Sequence, residues 1–138
     1  VAAVLNIGGL WFLYGTSLLV WMHQSMLLSM IVHLHLFFAG YLFTAAIISV
    51  DPISFRFSFL YRALILLLAM AGHAILSKWI FAHPPMGVPS VEAEMGGMLM
   101  YYGGDFIELI LIVLLCLEWY RSIRPRWLIA RETTLVRK

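Results

Sequence analysis

Five histidines, seven acidic residues and eight methionines are the side chains with ligand or proton chemistry in this 138-residue sequence. His33, His35, His73 and Asp105 stand inside long apolar runs. Imidazole suits copper in either oxidation state, and a thioether is a soft ligand that suits Cu(I). An ionised side chain in a lipid interior costs about 2.5–3.5 kcal/mol on insertion scales, so such residues are by default a functional hypothesis. The plainer reading is that they hydrogen-bond between helices and do nothing else. Choosing between the two requires knowing how the surrounding elements place them.

Of the residues, 63% are hydrophobic and only 12% charged, and the mean hydropathy is +0.95. Soluble domains average about 45–50% apolar and about 25% charged residues. The composition excludes a soluble globular enzyme, a disordered chain and a nucleic-acid binder. It implies an all-α polytopic membrane protein, because only helices or closed barrels satisfy their backbone in lipid. Apolar runs between breakers predict about four transmembrane helices in a bundle, over residues 2–21, 26–50, 59–81 and 95–120. Asp51-Pro52 and His83-Pro84-Pro85 end the second and third, since proline cannot continue a helix. The chain starts at Val1 directly in apolar sequence, which reads as a piece of a longer chain or one whose start is missing.

Six of the nine basic residues follow position 120, making 121–138 a basic tail, and Arg56 and Arg62 flank the start of the third span. The 82–94 loop carries Glu92 and Glu94 and no Lys or Arg. Positive-inside bias therefore predicts a cytoplasmic C-terminus and an outward-facing 82–94 loop. With that direction, His33, His35, His73 and Asp105 fall in one layer roughly 10–15 Å below the outer surface at 1.5 Å of rise per residue. Glu108 lies one turn deeper, and His23 and Glu94 lie at the outer edge. These residues form the candidate metal set: His33, His35, His73, Asp105, His23 and Glu94.

His33 and His35 lie about 200° apart around an ideal helix and cannot both chelate one ion without distortion. His33 shares a stripe with Ser29, Leu36, Gly40 and Thr44, which suits close packing. His35 shares one with Ala39, Leu42 and Ala46, which suits a partner protein or another helix. The spacing leaves open which of them faces the bundle. Met22, Met26 and Met30 recur every four residues, and all eight methionines fall in the outer half or its loops. Copper is the expected cofactor, although any single methionine is explained as a filler of packing gaps. The glycine pairs Gly96-Gly97 and Gly103-Gly104 predict close packing at the start of the last helix. Cys116 reads as filler, and a lone cysteine forms no intramolecular disulfide.

The order His33-Leu-His-Leu-Phe-Phe-Ala-Gly-Tyr-Leu-Phe43, then Asp51-Pro52, then His73, then Glu94-Met-Gly-Gly with a later Gly-Asp resembles the CtaG family of cytochrome c oxidase assembly proteins. The resemblance covers about two thirds of the chain, through the second to fourth helices. It implies a bacterial inner-membrane factor that delivers copper to, or matures, a haem–copper oxidase. The oxidase or other membrane-complex subunits would be its partners, and His33, His35, His73 and Asp105 its polar positions. Family members have further spans ahead of the matching region. Two alternatives stand beside this reading: a haem b subunit with bis-His ligation, and an accessory subunit without chemistry of its own. No nucleophile–base pair, phosphate loop or zinc-protease motif is present, so no enzyme is expected.

Overall fold

A computed structural model describes residues 1–48 and 57–123, which form five α-helices and no strand. They are α1 (Ala2–Gly15), α2 (Leu18–Gln24), α3 (Met26–Ile48), α4 (Phe59–Ala82) and α5 (Ser90–Ile123). The expected Asp51-Pro52 stop and most of the basic tail lie outside the described residues. Helices α3, α4 and α5 are each long and apolar enough to cross a membrane, and the bent pair α1–α2 makes a fourth span if taken as one. The protein is an all-α membrane bundle, as its composition implies.

The first expected span, 2–21, is broken. Residues of α1 and α2 meet at a bend of 78°. At Gly15–Ser17 the chain leaves helical geometry, and Thr16 adopts an extended conformation. The Thr16 hydroxyl donates to the Phe12 carbonyl (2.7 Å) and accepts from the Leu18 amide (3.2 Å). One side chain thus satisfies backbone groups from both helix ends, the local competition with helix that makes threonine a breaker. At 1.5 Å per residue α1 is about 21 Å long, short of the roughly 30 Å hydrocarbon core. Leu13, Leu19 and Val32 bury together under the break, with Met22 packed against them. The Met22–Met26–Met30 series is accordingly interrupted: Ser25 ends α2, and its Oγ caps α3 by accepting from the Leu28 amide at 3.4 Å.

Helix α5 begins at Ser90, five residues before the expected start, so the connection from α4 is only 83–89. Pro85 O accepts from Val88 N (3.1 Å), and Gly87 takes the positive φ of 82° that this turn demands. Glu92 then falls in the first helical turn, where a negative charge opposes the helix dipole favourably. At 34 residues, α5 is about 51 Å long and exceeds the hydrocarbon thickness. The helix continues through polar sequence because the expected boundary marked the end of apolarity, and a helix needs only backbone pairing to extend.

The most extensive helix–helix contact is between α4 and α5, and the next is between α1 and α3. Buried Arg62, Leu66, Ala69, Leu76, Ser77 and Ile80 on α4 face Ala93, Gly97, Glu108, Leu111 and Leu115 on α5. Alternating steps of three and four are the seam of antiparallel helices packed at a shallow angle. Arg62 closes one end of that seam. Its Nη1 and Nη2 donate to the two Glu118 oxygens at 2.8 and 3.1 Å, and Nη1 also donates to Ile47 O at 2.8 Å. The last carbonyls of a helix have no partner within it, so Arg62 ties the end of α3 to the α4–α5 pair. Arg62 read from sequence as an orientation charge; its buried pairing with Glu118 is a second role that composition does not reveal. Removing either partner of a buried ion pair costs about 3–5 kcal/mol because the other charge remains. Arg62→Met and Glu118→Gln should each lower the thermal midpoint in detergent, and the double variant should lose clearly less than the two effects combined. Additive losses would contradict the coupling.

Candidate functional site

His73 is the best-defined of the expected site residues. It lies midway along α4, three-quarters or more buried, and its Nδ1–H donates to Glu108 Oε1 on α5 at 3.2 Å. Glu108 itself is 9% exposed. A carboxylate on an imidazole Nδ1 fixes the tautomer and ring orientation and raises the basicity of Nε2. Asp105, expected in the same depth layer as His73, is exposed, and Glu108, one turn deeper, supplies the carboxylate. The reason is rotational: on a helix of 3.6 residues per turn, 104 and 108 share the face toward α4 and 105 is turned off it. The signal was available in the seven-residue spacing of Gly97, Gly104 and Leu111, all of which lie along the α4-facing side of α5.

Glycine lets the pair form. A methyl group on Gly104 would overlap the His73 ring, so only hydrogen fits there. Four residues above His73, Ser77 Oγ donates to His73 O at 2.9 Å. A methyl on Gly97 would stand 3.0 Å from Ser77 O and 3.2 Å from Phe81 N. One member of each glycine pair therefore carries the close approach; Gly96 and Gly103 face open space. On the other side of α4, Trp11 Nε1 donates to Gly72 O at 3.2 Å, bringing α1 against the turn that carries His73.

The remaining candidates sit elsewhere. His35 points its Nε2 at α1, where a methyl on Gly9 would be 2.9 Å from it. His33 is exposed, with Nδ1 donating to Ser29 O at 2.7 Å. Both histidines are exposed and neither is among the buried residues of α3, which are Val32, Ala39, Phe43 and Ile47; His35 differs from His33 in lying against α1. His23, at the last turn of α2, donates Nδ1 to Leu19 O at 2.7 Å. Glu94 is exposed on the first turns of α5. Among the described residues no three of His, Cys, Asp or Glu converge closely enough to hold a metal ion. The depth layer of His33, His35, His73 and Asp105, with His23 and Glu94 at its edge, is thus divided among separate faces of the bundle.

Lined by Ser77, Lys78, Phe81, Gly97, Met98, Tyr101 and Tyr102, an open groove of about 390 Å³ runs along the α4–α5 seam beyond His73. Lys78 Nζ lies 5.4 Å from the Tyr101 ring centre, within cation–π range.

Gly104→Ala should displace His73 and break its bond to Glu108, lowering the thermal midpoint by an amount equivalent to about 1–3 kcal/mol, the usual cost of overpacking. Gly103→Ala, in open space, should leave the midpoint unchanged or slightly raised. Equal effects of the two would mean that α4 and α5 do not approach as closely as described.

No characterised protein and no solved structure matches the chain. A family model described as cytochrome c oxidase caa3 assembly factor matches residues 1–122, and so takes in α1 and α2 as well as the helices that carry the sequence resemblance. Running from α1 through all but the last residue of α5, that match establishes that the chain belongs to the Caa3_CtaG family of cytochrome c oxidase assembly factors.

Proposed function

We propose that the chain handles copper as cargo during maturation of a haem–copper oxidase, at the side of a bacterial plasma membrane toward which the 83–89 loop faces. The observation that carries this reading is the His73–Glu108 pair, a carboxylate-oriented imidazole at membrane depth. A pair serving packing alone is replaceable by apolar residues at no cost to stability, often with a gain, whereas a metal ligand needs this second-shell acceptor. His23 and His33 repeat the arrangement with backbone carbonyls as acceptors of Nδ1–H. Each of the three imidazoles keeps Nε2 available as a ligand.

In this reading, His73 offers one nitrogen donor and the methionines of the same half offer thioethers. A ligand set spread over several faces suits transfer to a partner membrane subunit, because a closed cage retains its ion. The chain's role is non-catalytic, and the basic C-terminus lies in the cytoplasm.

The test is complementation of a strain lacking the chain, with copper in the purified oxidase measured per haem. His73→Gln and Glu108→Gln should lower oxidase copper at limiting supply, by about 10- to 100-fold for loss of ligand or second-shell partner, with rescue by added copper. Full copper loading in the His73→Gln strain would reject the proposal. A sharp reduced Soret and α band in the purified chain would favour bis-His haem ligation instead.

A further inference from the structure

The outward face of α3 carries chemistry that the α4–α5 pair does not use. Helix α3 buries Val32, Ala39, Phe43 and Ile47, and a different face holds Met26 (91% exposed), Met30 (63% exposed) and exposed His33. These three residues are spaced i, i+4 and i+7, which puts them within about 60° of one another around the helix and within about 11 Å along it. Ser29 lies on the same stretch, and its carbonyl accepts His33 Nδ1–H at 2.7 Å, with Ser29 Oγ 3.5 Å from the same nitrogen. That bond fixes the tautomer, so the Nε2 lone pair is the free end of the ring.

Exposed methionines on a membrane helix need no explanation of their own, since apolar side chains belong against lipid. An exposed imidazole one turn below them does: Ser29 O meets its Nδ1, but among the described residues nothing meets Nε2, and a polar nitrogen facing hydrocarbon loses its water at a cost. Two flexible thioethers stand beside an imidazole nitrogen whose ring partner is held by a backbone carbonyl. Together they make a donor set of two sulfurs and one nitrogen. Such softness selects Cu(I) over the divalent ions that favour oxygen ligands.

We propose that Met26, Met30 and His33 form a Cu(I)-binding site on the outer face of α3. The site is separate from His73–Glu108 and open to a partner that approaches that face. It rests on the copper-handling reading and assigns to it a particular set of ligands. Methionine side chains, with three rotatable bonds, close over the ion without moving the backbone, and the open side of a three-coordinate ion is where a receiving ligand enters. Binding is by ligation alone, with no change of oxidation state.

The experiment titrates the full chain in detergent with Cu(I) alone, anaerobically, against a chromophoric Cu(I) chelator, for wild type, Met26→Leu/Met30→Leu and His33→Gln. All three side chains are exposed, so the variants should keep the wild-type helical signal and thermal midpoint. Affinity should fall on the order of 10- to 100-fold in each variant, the scale produced by removing even outer partners of a metal. Absorption spectroscopy of the loaded wild type should show sulfur neighbours that the double variant lacks. Unchanged affinity in the double variant, or Cu(I) binding abolished only by His73→Gln, would overturn the site. Loss of Cu(I) with normal oxidase maturation keeps the site and rejects the delivery role; intact Cu(I) binding with failed maturation rejects the site and leaves the delivery role standing.

Discussion

The approach of α4 to α5 is the contact on which the rest of the bundle is arranged. It is close because Gly97 and Gly104 present hydrogen where any other residue would present a side chain. Between lipid-soluble helices there is no hydrophobic drive to associate, and small residues that let backbones pack tightly supply the attraction instead. That closeness has a chemical consequence. It puts His73 within reach of Glu108 and leaves both side chains largely buried. Arg62 fastens the same seam at its far end, through Glu118 and the last turn of α3. Polar groups that would be costly alone are satisfied by one another along a single line of contact.

Helices α1 and α3 form the second layer, and they are held to the first by polar as well as apolar contacts. Trp11 reaches the backbone of α4 one residue from His73, while His35 rests against Gly9 of α1. The break between α1 and α2 shapes this layer. Had residues 2–21 formed one straight span, α2 would continue the axis of α1. The 78° bend instead turns α2 across it, carrying the exposed Trp21 and His23 with it. The two sides of α3 consequently differ in kind: one imidazole is turned to a neighbouring helix and the other stands outward beside two methionines.

Much of the architecture was legible without coordinates. The helical class and the three long apolar helices follow from apolar run length and proline, because lipid admits few backbone solutions, whereas a fourth span exists only if the bent α1–α2 pair is counted as one. Other features were not legible. Thr16 breaks a helix that hydropathy reads as continuous, since the competing bond from its hydroxyl leaves no trace in apolar content. The start of α5 at Ser90 was missed for the converse reason, as a helix can run on past the point where it stops being apolar.

For the site, the sequence set which side chains have ligand or proton chemistry, their position along each helix, and that methionine and histidine gather toward one end of the bundle. Depth follows from residue number because helical rise is constant. The tertiary structure decided which of those residues meet. It chose Glu108 over Asp105 for His73, set His35 against α1 and His33 beside Ser29 with both still exposed, and dispersed a set that depth alone had placed in one layer. Meeting depends on the rotation of each helix about its own axis. That rotation is set by how glycines, bulky side chains and one buried arginine fit between neighbours, and such fit exists only once the neighbours are in place.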